Sequence, residues 1–175
     1  GTMKGSELTG IRYEQLIPWF NPGEGAFKVI PGDYVTTEDG TGIVHIAPTF
    51  GADDAKVARL AGVPGLQVVD RNGDLQAQVD LRGRFFRIED LDPEYAAANM
   101  APEYAEWAGR YVKNAYDASL PEDAPTLDVD ICVMLKQENK AFKIEKHTHN
   151  YPHCWRTDKP VLYYPLNSWF IKTTA

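Results

Sequence analysis

The chain has 175 residues, of which 43% are apolar and 25% charged, enough for one domain to bury a sizeable core, so disorder is excluded as the main reading. Its 14 glycines and 12 prolines are too few and too aperiodic for collagen or a low-complexity linker, yet enough to cut the chain into short elements. A formal net charge of −7 excludes a general electrostatic grip on a nucleic-acid backbone, so any nucleic-acid partner has to be held by a local patch.

Cys132 and Cys154 form neither a CxxC motif nor a disulfide-dense pattern, which points to a reducing compartment and a cytoplasmic location. No stretch approaches the roughly 18 to 20 uninterrupted apolar residues of a membrane span, so no membrane partner is expected. The first residues, Gly1 to Ser6, lack the apolar core of a signal peptide, and Gly1-Thr2 ahead of Met3 reads as a cloning remnant. Trp169 to Ala175 stops in an amphipathic segment without a polar tail. The expectation is a monomeric piece of a longer protein.

In chain order, Phe27 to Ile30 reads as a strand, Pro31-Gly32-Asp33 as a turn, Tyr34 to Thr37 as a strand and Glu38-Asp39-Gly40 as a second turn. Gly40-Thr41-Gly42 opens Ile43-Val44-His45-Ile46-Ala47, whose β-branched residues predict a mostly buried strand ended by Pro48. Next, Ala55 to Ala61 reads as a helix with Val57, Leu60 and Ala61 on one face and Gly62 as its stop, so that Asp53 and Asp54 fall at its N-terminus. Leu66 to Asp70 predicts a strand, Arg71 to Asp74 an Asn-Gly turn, and Phe85 to Ile88 a short strand or loop. Tyr95, Met100, Tyr104, Trp107 and Tyr111 recur at helical spacing, with Pro102 dividing the segment into two helices. Pro121 and Pro125 mark a loop, Val129 to Leu135 a strand and Lys140 to His147 an alternating segment, before an aromatic stretch from Tyr151 to Phe170. The fold class this describes is mainly β with α insertions.

Three groups of residues invite a chemical reading. His45, Asp53 and Asp54 stand at a strand end and the following helix start, where a carboxylate favoured by the helix dipole can receive an ammonium group and an imidazole can bond a hydroxyl or limit pocket size. The plainer reading is a satisfied core histidine and two capping aspartates, which spacing alone favours. His147, His149, His153 and Cys154 lie within one short window, but their spacing matches no standard zinc arrangement, so a structural role is preferred and no metal is expected. Tyr151, Trp155, Tyr163, Tyr164, Trp169 and Phe170, interleaved with His153, Arg156, Lys159 and Lys172, suit either a nucleic-acid stacking surface or, preferably, a packing seam against a neighbouring domain. Cys132 reads as a small buried apolar residue. The chain has no glycine-rich phosphate loop, nucleophile elbow or P-loop.

The run from Gly40-Thr41-Gly42 through Ile43-Val44-His45-Ile46-Ala47-Pro48-Thr49-Phe50-Gly51-Ala52-Asp53-Asp54 closely resembles the editing domain (CP1) inserted into class I isoleucyl-tRNA synthetases. The related valyl and leucyl enzymes share the Gly-Thr-Gly strand and a following aspartate, but do not typically carry histidine at the position of His45. The resemblance covers almost the whole chain. Lys4 to Glu14 is similar to the family's segment before the barrel, and Tyr151 to Pro160 with Trp169-Phe170 to its return toward the catalytic core.

The resemblance implies an editing-domain β-barrel over residues 4–150, partial on its N-terminal side, with 151–175 as the return segment and 1–3 as the remnant. It implies hydrolysis of valine wrongly esterified to the isoleucine tRNA, because one missing methylene gives a synthetic site only limited discrimination; isoleucyl-tRNA synthetases are themselves the standard illustration of that limit. By the resemblance, Asp54 binds the α-ammonium of the aminoacyl group and His45 lines the pocket, excluding isoleucine. Asp53 caps the helix, Gly51 allows close backbone approach and Thr41 shapes the entrance. No residue is an obvious nucleophile, so a bound water is expected to attack. The implied partners are the valine-charged 3′ end of the tRNA and the synthetase core. The piece itself is expected to need no cofactor, whereas ATP and magnesium serve the parent.

Two departures stand against the family pattern. No counterpart of its threonine-rich editing peptide stands before Lys4, and Thr36-Thr37 do not correspond to it; the HIGH and KMSKS signatures of the synthetase core are also missing. The alternative class of function is therefore a non-catalytic tRNA-contacting or interdomain packing module, with a metal-dependent hydrolase using His147, His149, His153 and Cys154 as a distant third.

Overall fold

A computed structural model describes residues 2–38, 41–121, 123–146, 148–169 and 171–173. Among them, regular structure consists of three α-helices, α1 (Ala52–Leu60), α2 (Pro93–Asn99) and α3 (Leu127–Gln137), and one two-stranded sheet of β1 (Gln67–Val69) and β2 (Leu75–Ala77), with four short 3-10 turns. The strands pair antiparallel in the register Gln67 to Ala77, Val68 to Gln76 and Val69 to Leu75. The Asn-Gly turn between them forms as expected, with Gly73 at φ 81°. Asp70 organises it by accepting from the backbone N–H groups of Asn72 (2.9 Å) and Asp74 (3.0 Å) and from the Gln76 side chain (3.0 Å). Burial pushes the Asp70 carboxyl up, but these donors outweigh it and hold the group below its ordinary value.

The core is aromatic. Phe20 and Tyr104, 1% and 0% exposed, meet edge to face at 4.5 Å between ring centres, and Trp19 packs on Trp107 at 5.0 Å and on Phe85 at 5.4 Å. Tyr104 sits in the 3-10 turn Pro102–Glu106, and its hydroxyl donates to Phe86 O at 2.6 Å, satisfying the one polar atom that this burial would otherwise strand. Burial raises the Tyr104 phenol well above its ordinary value. Pro102 divides the aromatic helical segment as its sequence predicts: α2 ends at Asn99, and Asp92 caps the start of α2 by accepting from the Tyr95 N–H at 2.7 Å.

Several stretches read as strands take other forms. Val129 to Leu135 lies inside α3, because Leu127, Ile131 and Met134 recur at helical spacing on the face that meets the core, while Val129 and Val133 stay half exposed. The apolar residues also alternate, and packing of the 3.6-residue period decided between the two patterns. Cys132 therefore stands on this helix, half-buried and unpaired in any disulfide. Phe27 to Ile30 pairs with residues 10–13 by single bonds, Val29 N to Ile11 O at 2.9 Å and Tyr13 N to Phe27 O at 3.0 Å, without extending into a regular strand. Residues 34–37 and 43–47 form no strand, nor do the described residues of 140–147. β-branched composition favours a pleated, half-buried surface, and among the described residues no neighbouring strand supplies one here.

Candidate functional site

The segment singled out by its motif folds back on itself. After Pro48 the chain turns, with Phe50 N and Gly51 N both donating to Ala47 O at 3.0 and 3.1 Å, and enters α1 at Ala52. The helix begins three residues earlier than the sequence predicts, so Asp53 and Asp54 lie in its first turn, where the helix dipole favours negative charge. The N-cap residue is Gly51, and no side chain caps the helix, which corrects the capping role expected of Asp53: it stands in the first turn, past the N-cap position, with its side chain exposed. Gly62, at φ 63°, ends the helix region as expected. The expected apolar face is not the buried one. Ala58 is buried and Leu60 is 81% exposed.

Asp54 is the hinge of the arrangement. Its Oδ2 accepts the backbone N–H of Ala47 at 2.9 Å, joining the first turn of α1 to the segment that carries His45. Thr49 anchors the same loop from the other side, its hydroxyl donating to Leu66 O at 2.8 Å, and the Phe50 ring meets Tyr164 edge to face at 6.4 Å. Ala47 and Thr49 act through a backbone amide and a single hydroxyl, so no residue-type signal in the sequence marks them.

His45 does not sit in a buried strand, which corrects that expectation. It is exposed, as are Ile43 (64%) and Val44 (52%), because the stretch lacks a pairing partner among the described residues. No hydrogen bond joins His45 to Asp53 or Asp54 among the described residues, so the two ends of the motif are brought together by the backbone clasp at Ala47. Thr41 is exposed and folds locally, its hydroxyl exchanging long 3.4 Å bonds with the backbone of Ile43, while Gly42 takes a φ of 77° and Gly40 lies outside the described residues. The arrangement offers one part-buried carboxylate, one exposed carboxylate and one exposed imidazole at the lip of a loop. Such a set can bind a cation and orient a polar ligand.

The histidine-rich window is different. His147 lies outside the described residues, and among the described residues no group of three or more His, Cys, Asp or Glu is placed to hold a metal ion. His153 instead closes a hairpin turn, with Nδ1 2.8 Å from Asp158 O, while Cys154 N donates to Lys159 O and Asp158 N to Cys154 O, both at 2.8 Å. Hydrogen bonds from the Thr157 side chain and then from the Arg156 and Thr157 amides hold the Cys154 thiol below its ordinary value. The aromatic stretch is open to solvent at its tryptophans: Trp155 and Trp169 are 86% and 88% exposed and Arg156 stacks on Trp155 at 4.6 Å, whereas Tyr151 and Tyr164 are half-buried and Phe170 lies outside the described residues. No helix among the described residues is long and apolar enough to cross a membrane.

Comparison with known proteins places this geometry in context. No protein-family model matches the chain. It is 68% identical over 173 residues to an isoleucine–tRNA ligase of Porphyromonas gingivalis, and 65% identical over 173 residues to one of Bacteroides fragilis, in each case over 98% of this chain and 15% of that protein. Similarity extends to an isoleucine–tRNA ligase of Thermoplasma volcanium, 39% identical over 99% of this chain and 13% of that one. High identity over nearly the whole of this chain thus bears out the resemblance to isoleucine–tRNA ligases: the chain corresponds to a segment that makes up about 15% of the length of the curated relatives it matches.

Proposed function

We propose that this chain is part of the editing domain of an isoleucine–tRNA ligase and that the loop and helix start from Thr41 to Asp54 hydrolyse valine esterified to the isoleucine tRNA. The observation that carries the reading is the clasp between Asp54 Oδ2 and Ala47 N–H, which gathers an imidazole and a helix-start carboxylate on one loop. Among the described residues Asp54 Oδ1 takes no hydrogen bond, leaving an acceptor for the α-ammonium of an aminoacyl ester. The ammonium is common to every aminoacyl ester, so Asp54 supplies affinity and orientation, and the choice between valine and isoleucine falls to the wall of the pocket. His45 forms that wall in this reading, Thr41 borders the entrance and Asp53 adds negative potential.

A water molecule attacks the ester carbonyl carbon, the tetrahedral adduct collapses, and the terminal ribose oxygen leaves with a proton, releasing valine and free tRNA. Positioning supplies most of the acceleration, since in this reading water, and no side chain of the loop, is the nucleophile. The segment needs no cofactor of its own under this reading, and ATP and magnesium serve isoleucine activation elsewhere in the ligase. Residues 4–150 form the editing unit, built on a β-barrel completed by the rest of the parent, and 151–175 lead to the catalytic core in the cytoplasmic enzyme. A second reading, a tRNA-contacting or interdomain packing module, is favoured by the exposed Trp155 and Trp169.

Incubating the chain with valyl-tRNA and, separately, isoleucyl-tRNA tests the choice. Selective release of valine is the expected result. A folded chain that releases no valine, beside a full ligase that does, means that the rest of the ligase completes the site, whereas a full ligase whose valyl-tRNA deacylation is unchanged by Asp54→Ala selects the packing module.

A further inference from the structure

Gly51 adopts φ −126° and ψ 128°, extended backbone that any residue can take, so its conformation does not call for glycine. Its surroundings do. A Cβ at this position would stand 2.8 Å from Asp54 Oδ2, 2.9 Å from Asp54 Cγ and 3.0 Å from Asp54 Cβ, and its three nearest neighbours all belong to that one side chain. The backbone is tied on both sides, so the flexible Asp54 side chain is the cheaper group to shift: Gly51 N is bonded to Ala47 O at 3.1 Å and Gly51 O accepts the Ala55 N–H at 2.8 Å, the first bond of α1. A side chain at 51 therefore has to be accommodated by Asp54, and Asp54 yields by swinging out of reach of the Ala47 N–H.

We infer that Gly51 is a positioning residue: the space left by its missing side chain is where the Asp54 carboxylate folds to grip the Ala47 N–H, and this clasp fixes the His45 loop against the start of α1. One carboxylate oxygen is committed to the loop and the other is left for a ligand, so Asp54 both builds the site and serves in it. The clasp stands on the geometry alone, and its consequence for hydrolysis rests on the editing reading. Gly51 touches no substrate in this account; it acts through Asp54.

The test uses the full-length ligase carrying this segment, with hydrogen-exchange mass spectrometry on peptides spanning residues 43–50 and valyl-tRNA deacylation measured in parallel. Gly51→Ala and Asp54→Ala should each speed exchange at Ala47 by about 10- to 150-fold, the worth of one hydrogen bond to a charged acceptor. The double variant should exchange no faster than Asp54→Ala alone, because both changes break the same bond. Gly51→Ala should also slow valyl-tRNA deacylation while isoleucine activation keeps its wild-type rate. Unchanged exchange in Gly51→Ala, or additive effects in the double variant, would overturn the clasp. Faster exchange with wild-type deacylation in an active ligase would overturn the positioning role. Faster exchange in a ligase whose unsubstituted form does not hydrolyse valyl-tRNA supports the clasp and removes the editing reading instead.

Discussion

The aromatic core and the candidate site are held together in opposite ways. Around Tyr104, rings from Trp19, Phe20, Phe85 and Trp107 converge from distant parts of the sequence and exclude water. Around Asp54, the loop from Thr41 to Gly51 is exposed at Thr41 and at residues 43–45, only half-buried at residues 46–51, and hangs on individual hydrogen bonds, one from Ala47 and one from Thr49. Stability resides in the first region and the proposed chemistry in the second. Elements that must meet a ligand come from the weakly packed end of a structure, because a site closed by its own side chains has no room for another molecule. Substitutions in the core should accordingly cost folding free energy, and substitutions at the loop should cost activity with little change in folding.

The sharpest contrast comes from deleting a ring at the centre of the core. Phe20→Ala should destabilise the chain by about 3–5 kcal/mol, measured by denaturant unfolding, since it removes a buried ring and leaves a cavity. Tyr104→Phe is gentler, about 1 kcal/mol at neutral pH, because it keeps the ring and leaves Phe86 O without its donor. It also changes the response to alkali. The folded state raises the Tyr104 phenol, so it retains a proton that the unfolded chain loses above about pH 10; that contribution is complete below about pH 10 and is lost as pH rises further. Unfolding curves on either side of that pH should therefore show a shallower alkaline loss in Tyr104→Phe than in the parent chain. Part of the loss should persist, because burial also raises Tyr95, Tyr116 and Tyr164. The smallest effect on folding belongs to His45→Ala, within about 0.5 kcal/mol for an exposed side chain. Its effect on specificity should be plain: isoleucyl-tRNA becomes a substrate for hydrolysis. Continued sparing of isoleucyl-tRNA would remove His45 from the wall of the pocket.

The sequence made some of this architecture legible and concealed the rest for physical reasons. The hairpin after Val69, the break at Pro102, the stop at Gly62 and the aspartates at the start of α1 all follow from local rules that need no knowledge of distant contacts. The face of α3 did not, because Val129, Ile131, Val133 and Leu135 alternate as a strand would while Leu127, Ile131 and Met134 keep helical spacing; only the packing partner resolves the two. The strand expected at 43–47 failed for a related reason, since a strand is stabilised by its neighbour. At the site, the motif marked His45, Gly51 and Asp54, but the reason for Gly51 lies in where the Asp54 side chain folds, which spacing does not reveal. Ala47 left no trace in the sequence, since any residue other than proline supplies the same amide.

One measurement addresses the central claim most directly: valyl-tRNA deacylation and isoleucine-dependent ATP–pyrophosphate exchange, assayed side by side in the full-length ligase carrying Asp54→Ala. The account predicts that deacylation is lost while exchange stays close to wild type, because the carboxylate serves an editing site separate from the synthetic one. Equal loss of both activities, or deacylation that survives without the Asp54 carboxylate, would contradict it.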